Sequence, residues 1–386
     1  MVLNSTKKEE VIVVVGDPLE AVALPFIQET YHVKKVIVLS YIEYEASSLS
    51  RTTSQIVNYV LDRDVKVFPL FIARYHTVGV GSLLRKLLFN KTELMKYSTE
   101  FFQGQLFSGS PKLVLNSNSP LRRFLGRKSN YIGLSHSPLD DLEANIDLPL
   151  REKVYWNMGS KKKFFWVRAP ISHFYRFLFS VICFNAKPWI PFHSFTWLPV
   201  PEDKTTTQVD LSYWRKESVI SDLTSKMFPT EKLDLLFFSF ESQGSYGSRM
   251  EWIDASVDSS LRIYSQFGDG KVPLLLKFHW KDLDVISVSE RAYLNARVRQ
   301  EIFLLGVNKV LFFHDFIDKK YREWPAEIFL KAINIRQILG AFTGAMYVAS
   351  GMGFDIKSYC ESEPLRLKRD FYTKMQKINL SNVTAV

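Results

Sequence analysis

The sequence predicts an α/β protein built from two parallel sheets. Short apolar runs typical of buried strands alternate with segments in which apolar residues have helical spacing, and this alternation occurs twice along the chain. The chain has 386 residues, of which 46% are hydrophobic, so it is long enough to bury two cores. This composition excludes a disordered or fibrous protein.

In the N-terminal half, apolar runs end at turn signals and are followed by helical segments. The predicted strands are 11–15, 34–40, 65–71, 112–116 and 131–135, and the predicted helices are 19–31 and about 54–62. Strands that are connected through helices run parallel. The N-terminal half is therefore predicted to be a Rossmann-like domain.

The same pattern begins again after residue 230. The predicted strands are 233–240, 272–278, 308–313 and 344–350, and the predicted helices are 259–267, 290–305, 326–334 and, near the C-terminus, 365–378. A second parallel sheet with its own crossover helices follows from this order.

A polar, proline-containing stretch separates the two patterns and reads as a linker. The predicted organisation is an N-terminal domain at 1–195, a linker at 196–230, a C-terminal domain at 231–364, and a return helix with a tail at 365–386.

Charge and cysteine content restrict the partners and the compartment. The 50 Lys and Arg against 40 Asp and Glu leave a formal charge of +10, which favours phosphorylated ligands, anionic lipid surfaces or nucleic acid. The charge alone does not choose among them. The chain has 2 cysteines, Cys183 and Cys360, far apart, so neither a disulfide framework nor a cysteine-based zinc site is expected and a cytoplasmic, reducing compartment is predicted.

No segment reaches the roughly 20 apolar residues of a spanning helix, and the N-terminus lacks the pattern of a secretory signal. The nearest approach is FYRFLFSVICF at 174–184, which follows the basic segment KKKFFWVR at 161–168. Two interpretations stay open: a buried core helix, or an amphipathic segment on an anionic membrane, which would make the protein peripheral at the inner face.

The first candidate site follows the predicted strand in VPLLLKFHWKD, residues 272–282. Ligands of open parallel sheets bind at the carboxyl ends of the strands. Lys277, His279 and Lys281 lie at such an end and could bind a phosphate and stabilise a leaving group. The alternative is a histidine that caps the strand beside two solvated lysines.

Two further candidates come later in the chain. Glu327 lies in Trp324-Pro325-Ala326-Glu327, which opens a predicted helix, although proline and glutamate are also ordinary at a helix N-terminus. Thr343 lies in a turn of small residues, GAFTGAMYVASG, whose hydroxyl and amides could bind an anion.

In this order the three pieces resemble the C-terminal half of bacterial GT-B sialyltransferases and polysialyltransferases. The N-terminal VVVGDPLEAVALPFI is similar to their first strand and helix. The resemblance implies two Rossmann-like domains facing a cleft, a CMP-activated donor such as CMP-sialic acid, an oligosaccharide or glycolipid acceptor, and no cofactor. It also implies that His279 contacts the phosphate, that Glu327 holds the ribose, and that Thr343 supplies the hydroxyl turn.

The sequence departs from that family at two places. Trp280 replaces the usual proline, and Thr343-Gly344 replaces a Ser-Ser or Ser-Thr pair, so the identity of the nucleotide is less firmly implied than the fold.

Sugar transfer also needs a base that deprotonates the acceptor. The family places a carboxylate after an N-domain strand, and the segment after 131–135 offers His136, Asp140, Asp141 and Glu143. A base must first be within reach and then have a suitable pKa. The alternative is a helix N-terminus capped by Ser137, whose dipole the two aspartates complement.

Two other functions remain as alternatives. The first is a cyclic-oligonucleotide-sensing or nucleic-acid-acting protein, suggested by Arg168 and His173, although Pro170 would interrupt the helix that carries such a motif. The second is a non-catalytic bilobed binding protein. No Gly-rich phosphate loop and no zinc spacing occurs, so we expect a metal-independent glycosyltransferase with no nucleic acid partner.

Overall fold

The structure is a computed structural model. It describes residues 8–41, 47–62, 66–70, 85, 88, 92, 112–116, 131–135, 193–197, 206–240, 246–278, 286–341, 344–359 and 383–385. The chain divides into two compact units, Met1–Asp210 and Leu211–Val386. This division falls inside the segment 196–230 that the sequence suggests as a linker.

The first unit contains a sheet that has seven strands in the described residues. They are β1 Glu10–Val15, β2 His32–Tyr41, β3 Lys66–Leu70, β4 Lys112–Asn116, β5 Tyr131–Leu134, β6 His193–Thr196 and β7 Thr206–Gln208. Helices α1 Pro18–Val22, α2 Leu24–Thr30 and α3 Ser47–Leu61 lie between the first three strands. All neighbouring strands are parallel, in the order β3-β2-β1-β4-β5-β6-β7.

The second unit contains a sheet that has six described strands. They are β8 Leu233–Phe238, β9 Leu274–Phe278, β10 Val310–Phe312, β11 Ile335–Ala341, β12 Ile356–Tyr359 and β13 Val383–Ala385. The described helices are α4 Glu217–Leu223, α5 Arg249–Phe267, α6 Val288–Leu304 and α7 Gly344–Gly351. The strands are again all parallel, in the order β10-β9-β8-β11-β12-β13.

Both sheets therefore begin with the same arrangement, in which the first strand is central and the order reverses between the first and fourth strands. This 3-2-1-4-5-6 order is that of the doubly wound Rossmann fold. The prediction of two Rossmann-like domains is confirmed. The central strands are apolar because helices cover both faces of a parallel sheet, and every residue of β8 and β9 is buried.

Two predictions about secondary structure in the second unit are wrong. Residues 344–350, predicted as a strand, belong to helix α7, and the strand that precedes it is β11. A short apolar run fits either structure, and Met346 and Ala349 have the helical spacing of a buried stripe. Strand β11 was not predicted because Arg336 and Gln337 interrupt its apolar pattern.

The predicted helix at 326–334 consists of two 3-10 turns, Ala326–Ile328 and Leu330–Ala332. Five consecutive residues from Ala326 to Leu330 are buried. A regular amphipathic α-helix buries one stripe and exposes the opposite face, so it would not bury five residues in a row. Tight turns allow the chain to do so.

Gly340 allows strands β11 and β8 to approach closely near their carboxyl ends. Its φ is +144°, and an added Cβ would lie 2.5 Å from the carbonyl oxygen of Phe237. Side chains are strained in this backbone region, and the contact is with a backbone atom that cannot move aside. Only glycine fits the place where the strand order of the second sheet reverses.

Helices α5 and α6 are joined by ion pairs as well as by apolar contacts. Each helix begins with a capping box, formed by Ser248 with Glu251 and by Ser287 with Glu290. Arg249 of α5 donates to both carboxylate oxygens of Glu290 at 2.7 and 3.1 Å.

In the described part of the chain, no helix combines the length and the apolar character that crossing a membrane requires.

Candidate functional site

Ligands of doubly wound sheets bind outside the carboxyl ends of the strands, at the point where the strand order reverses. In the first unit this point lies between β1 and β4, and in the second unit it lies between β8 and β11. The side chains near the carboxyl ends of the strands in each unit are therefore the candidates for a functional site.

At the reversal point of the first unit, the carboxylate of Glu20 is buried, with 1% of the residue exposed. One oxygen, Oε2, accepts a hydrogen bond of 2.6 Å from the backbone N–H of Gly16, which follows β1. The other, Oε1, accepts a hydrogen bond of 2.7 Å from Nδ2 of Asn116, the last residue of β4. A buried carboxylate thus connects the ends of the two strands.

This arrangement affects how the first unit can bind ligands. In dinucleotide-binding Rossmann domains, backbone N–H groups of the turn after the first strand contact the phosphates. Here the N–H of Gly16 donates instead to Glu20, which is satisfied by hydrogen bonds as a buried charge must be. The carboxylate occupies the position in which the turn would hold an anion.

Glu20 was not among the predicted site residues. The residue lies within the apolar helical segment that follows β1, and its spacing is that of the buried face. A glutamate on the apolar side of a predicted helix was the available signal, because ionised residues are seldom buried without a partner.

At the second sheet, Lys277 lies in β9, opposite Phe237 of β8, and 7% of it is exposed. Its Nζ donates a hydrogen bond of 2.8 Å to the carbonyl oxygen of Phe278 and lies 5.1 Å from the ring centroid of Phe313. The ammonium group is therefore turned toward the carboxyl end of the strand. The carbonyl and the aromatic ring both stabilise a cation at this position.

His314 follows the neighbouring strand β10, in the turn Phe313–Asp315. Its ring lies 5.5 Å from that of Phe312 and 6.3 Å from that of Phe278, centroid to centroid. Burial lowers the pKa of His314 below its usual value, Asp315 acts in the opposite direction, and the charges of Arg322, Arg291 and Lys277 lower it further. This histidine was not among the predicted site residues, although it follows an apolar run as His279 does.

Glu327 is also buried, with 6% exposed, in the turn Ala326–Ile328. This turn contacts α7, the helix that follows β11. Two residues later, the ring of Phe329 packs edge-on against Phe313 at 5.4 Å, and Phe313 is the ring that Lys277 faces. The structure therefore brings Lys277 and the turn with Glu327 to the same end of the second sheet.

The other predicted site residues lie outside the described residues. These are His279, Lys281 and Thr343 in the second unit and His136, Asp140 and Asp141 in the first. The described chain ends next to them at Phe278, at Ala341 and at Ser135, each at the carboxyl end of its strand. The segments 161–168, 174–184 and 365–378, and the pair Arg168 and His173, also lie outside the described residues.

Within the described ranges, no group of three or more His, Cys, Asp or Glu side chains is arranged to hold a metal ion. Near the carboxyl ends of β9 and β10, the buried cation Lys277 and the charges of Arg291 and Arg322 suit an anionic ligand.

The topology thus defines a protein with two doubly wound α/β units, one of which carries a buried carboxylate and the other a group of cations at its strand ends. No protein family and no curated relative match the sequence. Among solved structures, the chain is similar to the glycosyltransferase SsfS6 of Streptomyces sp. SF2575 in complex with thymidine diphosphate, at 10% identity and a TM-score of 0.43, covering 97% of this chain and 89% of that one.

A second similarity is to the N-terminal domain of trehalose-6-phosphate phosphatase from Candida albicans, at 11% identity and a TM-score of 0.37. It covers 96% of this chain and 91% of that one. Neither similarity identifies the activity of this chain.

Proposed function

We propose that the protein is a metal-independent glycosyltransferase that moves a sugar from a nucleotide-activated donor to a glycan acceptor. The proposed donor is sialic acid or a related 2-keto acid sugar in its CMP-activated form. The observation that carries the proposal is the buried Lys277, whose ammonium group lies at the carboxyl end of β9. A buried cation at this place suits a phosphate that leaves during the reaction.

The proposal assigns the nucleotide to the second unit. Lys277 and His279 would bind the phosphate, Thr343 would add a hydroxyl, and Glu327 would hold the ribose. Two structural facts support this assignment: Lys277 and the Glu327 turn lie at one end of the sheet, and Glu327 is buried rather than solvated. A carboxylate accepts hydrogen bonds from the two hydroxyls of a ribose.

The proposal assigns the acceptor to the first unit. His136, Asp140 or Asp141, which follow β5, would remove the proton from the attacking hydroxyl. The use of the Gly16 N–H by Glu20 supports this division, because it removes a donor that a nucleotide phosphate would need in the first unit. We propose a cytoplasmic location, with 161–184 as the segment that contacts an anionic membrane.

No divalent metal is needed in this mechanism. When the bond between the anomeric carbon and the phosphate oxygen breaks, its electron pair stays on the phosphate, and lysine and histidine can neutralise the added charge. Enzymes that use a metal obtain the same stabilisation from the ion. The buried charge of Lys277 supports the first solution.

The test is sugar transfer to a galactose-terminated oligosaccharide in the presence of EDTA. CMP-sialic acid should support transfer, whereas UDP-, GDP- and TDP-sugars supplied in parallel should not. Transfer from only one of these other donors would keep glycosyl transfer and overturn the donor. Activity that EDTA abolishes and magnesium or manganese restores would overturn the mechanism, and no transfer from any sugar nucleotide would overturn the function.

A further inference from the structure

His314 has no role in the function proposed above, but its surroundings are those of a residue that binds a ligand. The ring is packed between the strand ends of β9 and β10, near Phe278 and Phe312, and 26% of its side chain remains exposed. A ligand can therefore reach the imidazole, although most of it is surrounded by protein. A partly buried titratable group at a strand end is a typical functional residue.

The charges around this imidazole come from four parts of the second unit. Asp315 lies on the same turn, with its Oδ1 3.5 Å from Nε2 of His314. Lys277 lies on β9, Arg291 lies in the first turns of α6, and Arg322 follows the turn Lys319–Tyr321. All three cations are close enough for their charges to act on His314.

The charged neighbours of His314 are thus one carboxylate and three cations. Burial and the three neighbouring cations lower the pKa of His314, so they favour the neutral form of the imidazole. An anion that enters among these groups reverses the balance, because it is attracted by the three cations and also stabilises the protonated imidazole.

We propose that His314, Arg291, Arg322 and Lys277 form a binding site for the phosphate of a nucleotide, and that the site takes up a proton when the phosphate binds. The proposal rests on the proposed function for the identity of its natural ligand, which is the nucleotide part of the donor. It adds residues from α6 and from the loops after β10 to that site.

Proton uptake suits the course of the proposed transfer. The phosphate of a CMP-activated sugar is a diester with one negative charge, and the released nucleotide is a monoester that approaches two. The sugar leaves, the electron pair stays on the phosphate oxygen, and the proton on His314 comes from solvent. A site that gains one positive charge favours the more charged species, so it stabilises the transition state more than the bound donor.

The proposal can be tested with inorganic sulfate, which remains a dianion between pH 6 and pH 8 and therefore contributes no proton of its own. The number of protons taken up is obtained by calorimetry at pH 7 in buffers of different ionisation enthalpy. We expect about one proton per bound sulfate for the unmodified protein and none for His314→Gln. The matched control is His193→Gln, which changes an imidazole of the first unit that contacts Thr207, and it should keep the uptake.

The arginines provide an independent test that does not require a change at His314. Arg291 and Arg322 are exposed, so their replacement by glutamine leaves the core intact. Each change should weaken sulfate binding about tenfold, because a hydrogen bond to a charged group is lost. The exposed Arg262 on α5 is the control, and Arg262→Gln should bind sulfate as the unmodified protein does.

Equal proton uptake with and without His314, or sulfate binding that is insensitive to both arginines, would overturn the proposal. Failure of CMP to compete with sulfate would overturn the nucleotide as the ligand. Normal rates of sugar transfer in His314→Gln, together with no proton uptake by the unmodified protein, would refute this site and leave the proposed function standing. Proton-linked binding of sulfate and CMP without transfer from any sugar nucleotide would refute the proposed function and support the site.

Discussion

The two sheets have the same order of their first strands, but the buried charged side chains at the carboxyl ends of their strands differ. In the first unit, the buried carboxylate of Glu20 accepts hydrogen bonds from Gly16 and Asn116. In the second unit, the buried Lys277 lies at a strand end with His314 nearby. One topology therefore presents an anion in one unit and cations in the other.

The difference shows that the fold determines where a site can lie, whereas the side chains determine which ligand charge the site prefers. A parallel doubly wound sheet brings the residues after its strands together, whatever they are. In the first unit, the N–H of Gly16 after β1 donates within the protein, whereas in the second unit the buried cation Lys277 lies at a strand end. Three experiments test whether the two units differ in this way.

The largest effect is expected for Glu20→Leu, which tests whether the carboxylate holds the first reversal point together. Leucine has a similar size but cannot accept hydrogen bonds, so the donors of Gly16 and Asn116 would be left unsatisfied in a buried place. We expect a loss of roughly 2–5 kcal/mol in the free energy of unfolding, measured with urea.

The matched control is Glu29→Leu, at an exposed position on α2. Its effect should stay within about 0.5 kcal/mol, as is usual for surface substitutions. If the two variants unfold at the same urea concentration, the buried carboxylate is not a structural link and the contrast between the two units loses its basis.

The next effect concerns Lys277→Met, which removes the cation of the second unit and keeps an apolar chain of similar length. We expect the affinity for CMP to fall by about 10–100-fold, because a charge-assisted contact with the phosphate is lost. Equilibrium dialysis or calorimetry measures the change.

Lys309→Met is the control for this experiment. Lys309 belongs to the same unit but precedes β10, at the amino end of the sheet, where it pairs with Glu231 at 2.7 Å. Its replacement should leave CMP affinity unchanged. A similar loss in both variants would indicate general attraction of the nucleotide by positive charge and not a site at the strand ends.

The smallest effect is expected at acidic pH, where the ion pair between α5 and α6 is lost. The hydrogen bond from Arg249 and further hydrogen bonds from Ser287 lower the pKa of Glu290 to about 2. Because the folded-state value lies below the ordinary value of 4.5, this stabilisation is present above pH 4.5 and is lost as the pH falls toward 2.

Glu290→Gln should therefore reduce stability at neutral pH and lose less stability than the unmodified protein between pH 4.5 and pH 2. Thermal unfolding at a series of pH values measures the difference between the two proteins. Parallel curves over this range would show that the pair does not stabilise the second unit. In the first unit, the described ion pairs Lys34–Glu10 and Lys112–Glu9 join residues in or next to strands and not two helices.

Much of the fold follows from local sequence pattern. The apolar runs at 11–15, 112–116 and 233–240 predict strands that the structure contains almost residue for residue. Burial on both faces requires such runs, and no distant residue is needed to recognise them. The return of the pattern after residue 230 likewise predicts a second sheet.

The errors occurred where the local pattern was ambiguous or where a distant partner decided the outcome. Strand β11 was not predicted because it begins with polar residues. Arg336 is accommodated there because it donates to both carboxylate oxygens of the buried Asp234 on β8, at 2.7 and 2.6 Å. No spacing within 335–341 reveals that partner. The apolar segment 344–350 was therefore predicted as the strand in place of β11.

For the candidate site, local apolar periodicity is sufficient to predict that Lys277 lies near the end of a strand and that the strands form parallel sheets. Which residues from distant parts of the chain contact each other at the strand ends depends on the tertiary structure. Asn116 reaches Glu20 from a distance of 96 residues in sequence, and the charges of Arg291 and Arg322 reach His314 from other segments of the chain. The reason is physical: burial and charge depend on neighbours that folding brings together, and a linear pattern records only the neighbours along the chain.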